Sequence, residues 1–225
     1  MKRPAHATAE PEPTMEGAAE QCYQGTRAHQ LCDLYETATF DAVHRRWSKH
    51  LPRRPGLALD VGAGSGRDAA ALAKRGWHVI AVDCSADMLS EAQSRHPNTG
   101  IQWVHDALPT LDTIKGEHER FTFILCSAVW MHLAPAERET AMRTMSELLD
   151  NGGKAVITLR HPPDPTRHMF DVSAAETIAL AKRNDLTVLQ ATHTADPISD
   201  WQRHDVSWST VVLQRPNPRR TPTQR

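Results

Sequence analysis

The chain has 225 residues, a net charge of −1 and four scattered cysteines, which already exclude several classes of protein. Its length suits one domain with a buried core, and its charge balance gives no electrostatic reason to expect a nucleic-acid partner. No apolar run approaches the ~20 residues of a membrane span, and residues 1–17 lack the apolar stretch of a secretory signal. We therefore expect a cytoplasmic protein with reduced thiols and no membrane segment.

The two ends of the chain are expected to lie outside the folded domain. Residues 1–20 are rich in Ala, Pro, Glu and Thr, a composition that buries too little apolar surface to offset the entropy of ordering. We therefore predict a disordered arm over 1–20 and one domain over 21–214. Residues 215–225 contain three prolines and four arginines and are predicted to form a loose basic tail.

Helical and strand patterns alternate along the domain. Three- and four-residue apolar spacings predict the helices, and short apolar runs bounded by turn residues predict the strands. The helix after the fifth strand begins with a capping box formed by Ser173 and Glu176. The predicted helical regions are 28–50, 66–76, 85–96, 135–149 and 173–184, and the predicted strands are 57–61, 78–83, 101–104, 121–126, 154–160, 186–192 and 206–214.

This alternation predicts an α/β fold with a parallel sheet covered by helices on both faces. The segment between the last two strands has no helical pattern. A parallel crossover usually needs a dozen or more residues and a helix, so these two strands are expected to be antiparallel neighbours. The fold prediction is therefore a seven-stranded, mostly parallel sheet with an antiparallel last strand.

A glycine loop with the sequence DVGAGSGRD follows the first strand and opens a helix. Gly62, Gly64 and Gly66 lack Cβ atoms, so the backbone can turn tightly and a ligand can approach the main chain. The second strand ends in Asp83, which can accept hydrogen bonds from both ribose hydroxyls of an adenosine. Asp106 follows the third strand, where a carboxylate can accept from the amine of adenine. Acids at successive strand ends, in register with this loop, point to a nucleoside site.

Segments around these residues resemble the motifs of class I S-adenosylmethionine-dependent methyltransferases. LALDVGAGSGRDAAALAKRGWHVIAVDCSADML at 57–89 resembles the first two motifs, and HDALPTL at 105–111 resembles the third. FTFILCSAVWMHL at 121–133 resembles the fourth strand and following loop of the small-molecule, type 11/12 members. ELLDNGGKAVITLR at 147–160 resembles the fifth. The likeness covers about residues 28–214 and is most specific at the glycine loop.

The resemblance implies a three-layer Rossmann-like methyltransferase fold, methyltransferase activity and S-adenosylmethionine as the cofactor. It also implies that helices within 21–55 form a lid over the site. The positions that match the family's cofactor contacts are Tyr35, Asp60, Gly62, Ala63, Gly64, Gly66, Asp83, Cys84, Met88, Asp106, Ala107, Cys126 and Ser127.

The same resemblance assigns a part of the cofactor to each of these positions. The glycine loop faces the methionine part, and Asp60 lies near its amino group, often through water. Asp83 binds the ribose. Cys126 and Ser127, at the end of the fourth strand, face the sulfonium.

The adenine ring is assigned to the ends of the second and third strands. Asp106 and Ala107 would meet its edge, and Cys84 and Met88 would pack against its face. Tyr35 belongs to the segment that covers the site.

The residues assigned to the methyl acceptor carry a less specific signal than those assigned to the cofactor. His132, beside Trp130 in the loop after the fourth strand, is the best-placed candidate for a general base, although a helix-start or packing role is the favoured interpretation. Arg160 and His161 are placed to hold an acidic or polar acceptor, or to satisfy loop carbonyls. Trp201 is a candidate for the wall of an acceptor pocket, with ordinary packing as the alternative.

Several absences narrow the function. The Asn/Asp-Pro-Pro-aromatic motif of nucleic-acid amino-methyltransferases is missing at 126–129, which read CSAV, and so is the acidic pair of metal-dependent catechol-type relatives. No two of the thirteen histidines are paired with each other at i,i+4 on a helix together with an acid, so no metal is expected. A dinucleotide fingerprint would need a glycine where Arg67 stands.

We therefore expect methyl transfer to the oxygen, nitrogen or sulfur of a small molecule, by a monomer or homodimer. Two alternatives stay open. One is a methyltransferase that acts on protein or RNA and docks it through the basic tail. The other is a non-catalytic module that binds the cofactor for regulation.

Overall fold

The structure is a computed structural model that describes residues 21–117, 120–198 and 205–217. The arm predicted over 1–20, Trp201 and residues 218–225 of the predicted tail lie outside the described residues. The strands are β1 (Leu57–Val61), β2 (His78–Asp83), β3 (Gln102–His105), β4 (Phe121–Ser127), β5 (Leu149–His161), β6 (Thr187–Ala195) and β7 (Ser207–Gln214). The α-helices are α1 (Gly25–Glu36), α2 (Phe40–His44), α3 (Arg67–Lys74), α4 (Ala86–Arg95), α5 (Asp112–Glu117), α6 (Arg138–Leu148) and α7 (Ala174–Arg183).

The strands form one sheet in the order β3-β2-β1-β4-β5-β7-β6. The five strands from β3 to β5 are parallel, and β7 runs antiparallel between β5 and β6. This arrangement confirms the prediction of a seven-stranded α/β sheet with an antiparallel last strand. The order reverses between β1 and β4, which places a crevice at the carboxyl edge of the parallel strands.

Helices cover both faces of the sheet because side chains alternate along each strand. On one face Leu59 and Val61 of β1 pack in a cluster that includes Met145 of α6. On the other face Ala58 packs in a second cluster with Trp47. The two clusters form the two apolar layers of the core on either side of the sheet.

Two local details differ from the sequence prediction. Strand β5 begins at Leu149, because a register shift in its pairing with β4 accommodates the glycines expected to end the preceding helix. A Cβ on Gly153 would lie 2.9 Å from two backbone oxygens, so this turn requires glycine. Ser173 caps its helix by accepting from the N–H of Glu176 at 3.1 Å. The Glu176 carboxylate, however, accepts from Arg138 at 2.8 Å, a partner that local spacing does not reveal.

Helix α1 is fastened across the carboxyl edge of the sheet by contacts with α4. The N–H of Gly25 donates to the Asp87 carboxylate at 2.6 Å. Arg95 of α4 bridges Asp33 at 2.8 Å and Glu91 at 2.9 Å. The N-terminal segment is thereby held over the end of β2, where the sequence analysis places the ribose-binding acid.

Helix α2 is joined to the glycine loop through a buried polar junction. The imidazole Nε2 of His44 lies 2.7 Å from Asp68 in α3, and Trp47 Nε1 donates to His44 Nδ1 at 3.1 Å. An indole nitrogen only donates, so Nδ1 accepts and the Nε2–H donates to Asp68. Burial alone raises the pKa of Asp68, but His44 and Arg67 outweigh it and hold that pKa well below its usual range. The junction therefore contains an ionised carboxylate.

We expect His44→Ala to lower the free energy of unfolding by about 3 kcal/mol, because it removes one donor of the buried Asp68 carboxylate, leaves Arg67 as the remaining side-chain donor, and empties the space of a buried ring. Urea denaturation measures the loss. His29→Ala is the control, since the His29 side chain is 56% exposed and its surface ion pairs contribute at most about 1 kcal/mol. Equal, small losses in the two variants would contradict a structural role for the junction.

Candidate active site

A cleft follows the carboxyl edge of the sheet beneath the N-terminal helices. It encloses about 1460 Å³ of space between protein atoms, part of it open to solvent. A smaller recess adjoins it at the end of β3 and shares part of its lining. The cleft is lined in part by Tyr23, Tyr35, Gly62, Ala63, Gly64, Asp83, Cys84, Met88, Ser127, His132, Thr158, Arg160, Arg167, Asp196, Trp208 and Thr210.

The glycine loop is fixed by backbone hydrogen bonds at the head of β1. The N–H groups of Gly62 and Ala63 both donate to the carbonyl of Val82, at 2.8 and 2.9 Å. Gly64 has a φ of +56°, and a Cβ there would meet no atom closer than 3.7 Å. A Cβ at Gly64 would therefore make only ordinary van der Waals contacts, with Met88 and Tyr35, and Gly64 lines the cleft.

The three glycines do not share one role. A Cβ on Gly62 would lie 2.1 Å from a methyl of Val129, so Gly62 allows the loop after β4 to approach. A Cβ on Gly66 would lie 2.7 Å from the Trp103 ring and 2.9 Å from His96. Gly66 therefore permits packing of protein against protein. The expectation that Gly66 faces the cofactor is corrected by its position.

Asp83 is the buried carboxylate of the cleft. Its Oδ2 accepts from the N–H of Gly64 and its Oδ1 from the N–H of Ser85, both at 2.9 Å. Burial raises the pKa of Asp83, and these two hydrogen bonds oppose the rise. An ionised carboxylate has about four acceptor positions, of which Gly64, Ser85 and the Cys84 side chain occupy up to three, so acceptor capacity remains for a ligand.

The smaller recess contains the residues assigned to adenine. Asp106 and Ala107 line it together with Cys84 and the apolar side chains of Leu108 and Leu133. The Asp106 carboxylate accepts from the N–H groups of Ala107 at 2.8 Å and Ile114 at 3.0 Å. The recess thus has apolar walls and a positioned carboxylate at one end.

Asp60 lies beneath the glycine loop and outside the cleft lining. It is buried, and among the described residues its Oδ2 has no hydrogen-bond partner. Burial raises its pKa well above the usual range, and the charge of Asp68 adds to the rise. Any contact of Asp60 with a ligand in the cleft would need a bridging water, as the family resemblance implies.

Two tyrosines, a histidine and an arginine form a roof over the glycine loop. The Tyr23 hydroxyl lies 3.1 Å from Nε2 of His132, and Arg167 donates to the Tyr35 hydroxyl at 3.3 Å. Burial lowers the pKa of His132 to about 4 and raises the pKa of Tyr23. The Tyr23–His132 pair is therefore neutral at neutral pH.

Three predicted site residues do not reach the cleft. Trp130 and Cys126 are fully buried in the core, and burial raises the pKa of the Cys126 thiol to about 12. His161 Nε2 instead contacts the Ser209 hydroxyl at 3.0 Å. Neighbouring side chains in a strand point to opposite faces, so where Ser127 and Arg160 face the cleft, Cys126 and His161 do not.

Sequence reasoning missed several residues of the cleft. Tyr23 precedes the first predicted helix, and Arg167 lies in a loop after β5, so neither had a local signal. Trp208, in the last predicted strand, lines the cleft with Thr210. The signal for Trp208 was its place at the start of an antiparallel strand, which brings it beside the end of β5.

The chain matches a known family over its first five strands. Residues 58–153 match the model of a family described as a methyltransferase domain. This segment contains the glycine loop, Asp83 and Asp106, and it forms most of the parallel part of the sheet. Residues 58–153 are thus similar in sequence to a methyltransferase domain.

Curated relatives of the methyltransferase domain match part of the chain. An uncharacterised methyltransferase of Mycobacterium tuberculosis is 35% identical over 105 residues, which is 46% of this chain and 51% of the relative. A ubiquinone biosynthesis O-methyltransferase of Xylella fastidiosa is 27% identical over 111 residues, 49% of this chain and 44% of the relative. The chain thus spans about half the length of the curated relatives it matches.

Solved methyltransferases share the fold over nearly the whole chain. Magnesium protoporphyrin IX methyltransferase from Synechocystis, with bound S-adenosylmethionine, superposes with a TM-score of 0.71 at 15% identity, covering 92% of this chain and 100% of that one. The 1,6-didemethyltoxoflavin-N1-methyltransferase of Burkholderia thailandensis, with S-adenosylhomocysteine, has a TM-score of 0.67 at 18% identity, covering 93% and 94%. At these identities the likeness establishes the fold.

Membrane-spanning helices and metal-binding clusters are both missing from the described residues. In the described ranges, no helix is long and apolar enough to cross a bilayer. Over the same ranges, no group of three or more His, Cys, Asp or Glu side chains is placed to hold a metal ion.

The neutral state of His132 in the methyltransferase domain predicts a pH dependence. Its folded pKa of about 4 lies below the ordinary value near 6.5, so between these values the unfolded chain binds the proton more tightly. The contribution of His132 to stability is therefore complete above about pH 6.5 and is lost as the pH falls toward 4.

Titration of the imidazole NMR signals from pH 8 to 4.5 tests this assignment. The His132 signals should stay near their neutral positions down to about pH 5. A His132 midpoint near 6.5 would show that the Tyr23–His132 pair is hydrated and not buried as described.

Proposed function

We propose that this chain transfers a methyl group from S-adenosylmethionine to a small-molecule acceptor by in-line displacement. The observation that carries the proposal is the pairing of the Gly64 main chain, which lines the cleft, with the buried Asp83 carboxylate to which its N–H donates. A Cβ at Gly62 or Gly66 would overlap protein atoms, whereas a Cβ at Gly64 would make only ordinary van der Waals contacts. The match of residues 58–153 to a methyltransferase domain supports the same reading.

The residues of the cleft suit this cofactor part by part. Gly62, Ala63 and Gly64 offer main chain to the methionine end, since a side chain at Gly64 would fill that space. The remaining acceptor capacity of Asp83 suits the ribose hydroxyls. The recess with Asp106 at one end and apolar walls suits a flat base that carries an amine.

Bound S-adenosylmethionine supplies a methyl group that its sulfonium already activates. The chain's own contribution is to orient the acceptor and to exclude water. The roof residues Tyr23 and His132 line the same cleft as Ser127, which the resemblance places at the sulfonium, and their pairing keeps them uncharged. A neutral pair offers hydrogen bonds there without repelling a positive sulfonium, whereas a protonated His132 would repel it. We therefore favour a role for His132 in orienting the acceptor over a role as a general base.

The structure weakens the alternative of a protein or RNA acceptor docked through the tail. Arg215, the first residue of that tail, donates to the carbonyls of Ser146 at 3.0 Å and Leu149 at 2.8 Å. These are carbonyls at the C-terminal end of α6, so Arg215 stabilises the fold and is not displayed for docking. The small-molecule reading also agrees with the names of the two solved neighbours, whose acceptors are small molecules.

Calorimetric titration with S-adenosylhomocysteine tests the cofactor site. Asp83→Asn should weaken binding about tenfold or more, because the ribose hydroxyls lose a charged acceptor. Gly64→Val should abolish binding, because its side chain fills ligand space. Unchanged affinity in either variant would remove the corresponding residue from the cofactor site.

Each of these variants has a matched control. Gly100→Val introduces the same residue at a φ of +69° where a Cβ meets nothing within 4 Å, so it reproduces the backbone strain alone. Asp41→Asn removes a carboxylate from a side chain that is 75% exposed. Both controls should bind like the unmodified chain.

Release of S-adenosylhomocysteine from S-adenosylmethionine, measured with small-molecule, protein and RNA acceptors, separates the remaining readings. Turnover with a small molecule supports the proposal. Turnover with protein or RNA alone would favour the docking alternative. Tight binding without transfer to any acceptor would favour a non-catalytic module.

A further inference from the structure

The half of the cleft that faces β5, β6 and β7 shows which chemical class of acceptor it would bind. We propose that the acceptor is a flat small molecule with an anionic group, and that Arg160 binds the anion while Trp208 packs on the body. This inference rests on the proposed function and names its substrate class. The anion is a carboxylate or a phosphate, and the test below distinguishes the two.

Sheet register places the two residues side by side. Arg160 of β5 is the direct partner of Trp208 in β7, and Trp208 is in turn the partner of Thr194 in β6. Directly opposed residues in an antiparallel pair project from the same face, with Cβ atoms about 5 Å apart. Arg160, Trp208 and Thr194 all line the cleft, so they form one row across its floor.

A second row lies two residues further into the sheet. Thr158 of β5 opposes Thr210 of β7, and both line the cleft. The Thr158 hydroxyl already accepts from the N–H of Ala128 at 2.9 Å, which fixes its position. The floor therefore combines one cation, one indole and hydroxyl groups, a set that matches an anion attached to an apolar body.

The arginines of the cleft differ between its two halves. On the cofactor side, Arg67 is paired with Asp68 at 2.8 Å and Arg167 with Asp164 at 3.4 Å. On the acceptor side, Arg46 and Arg160 line the cleft and form no salt bridge with a carboxylate among the residues that the structure describes, although Arg160 is close enough to Asp164 to help lower the pKa of that carboxyl.

Arg160 keeps most of its hydrogen-bonding capacity. Its Nη1 donates to the carbonyl of Pro162, and no other hydrogen bond of its side chain occurs within the described ranges. A guanidinium carries five N–H donors in a planar fork that fits a carboxylate or phosphate. The free donors of Arg160 therefore face the cleft as an anion site.

Asp196 is the negative charge on this side, and it serves to position Trp208. Its Oδ2 accepts from Nε1 of Trp208 at 3.3 Å and its Oδ1 from the N–H of Ile198 at 2.9 Å. The indole is thus held by its polar edge in the cleft wall. A fixed aromatic ring favours a flat, unsaturated body on the ligand, because stacked aromatic contacts add to the burial of apolar area.

Three naphthalene probes test the proposal: 2-naphthoate, its neutral amide 2-naphthamide, and 2-naphthyl phosphate. Calorimetry is performed on the full chain saturated with S-adenosylhomocysteine. We expect at least one of the two anions to bind about tenfold or more tightly than the amide, the usual size of a charge-assisted hydrogen bond. The anion that binds more tightly shows whether the site prefers a carboxylate or a phosphate. The preference should shrink as salt increases.

Single substitutions separate the contributions of Arg160 and Trp208 to binding. Arg160→Met keeps the length of the side chain and removes its charge, so it should abolish the preference for the anion and leave the affinity for the amide within about threefold. Trp208→Ala should weaken anion and amide alike. Arg143→Met, an exposed arginine of α6, is the control and should change neither affinity.

Equal binding of anion and amide, failure of all three probes to bind, or a preference that survives Arg160→Met would overturn the acceptor class. Titration with S-adenosylhomocysteine alone distinguishes this outcome from failure of the proposed function. If the unmodified chain and Arg160→Met both bind S-adenosylhomocysteine, only the acceptor class is wrong. If the unmodified chain does not bind it, the proposed function itself fails.

Discussion

The structure of the site depends on one hydrogen bond, from the N–H of Gly64 to the carboxylate of Asp83. It joins the loop after β1 to the end of β2 and turns the bare main chain of Gly64 toward the cleft. Burial makes this carboxylate costly to ionise, and the backbone donors of Gly64 and Ser85 offset part of that cost. The same contact that shapes the loop thus also keeps an acceptor group at the edge of the ligand space.

Two further contacts support this bend from outside. The His44–Asp68 junction ties helix α2 to the helix that follows the loop, and Val129 fills the space beside Gly62. The loop is therefore held by buried side chains on its outer sides and left open only at Gly64. A rigid wall with one open face is the arrangement that preorganised binding requires, because little ordering remains to be done when a ligand arrives.

Most of the fold was predictable from the chain because its signals are local. Short apolar runs bounded by turn residues marked the seven strands, and the missing helix before β7 marked the antiparallel return. The details that escaped prediction involve distant partners. The ion pair of Glu176 with Arg138 joins two helices 38 residues apart, and no periodicity within either helix encodes it.

The residues of the site likewise divide into those that local sequence predicts and those that depend on distant partners. Gly64, Asp83 and Asp106 stand in motifs with fixed spacing, so their positions at the cleft followed from the strand ends. Which of two neighbours faces the cleft depends on strand alternation, and this decided against Cys126 and His161 and in favour of Ser127 and Arg160. Tyr23, Arg167 and Trp208 reach the cleft through tertiary packing or strand register, which a linear pattern does not contain.

The antiparallel position of β7 has a consequence for how such proteins diversify. The family match ends at residue 153, before the first side chain of the acceptor floor, so the nucleoside-binding motifs and the floor formed by β5, β6 and β7 are encoded in consecutive stretches of chain. Substitutions after residue 153 can change the acceptor pocket to fit a new compound while the residues that bind the nucleoside stay unchanged. Grafting a relative's last three strands onto this chain is therefore a natural route to new methylation chemistry.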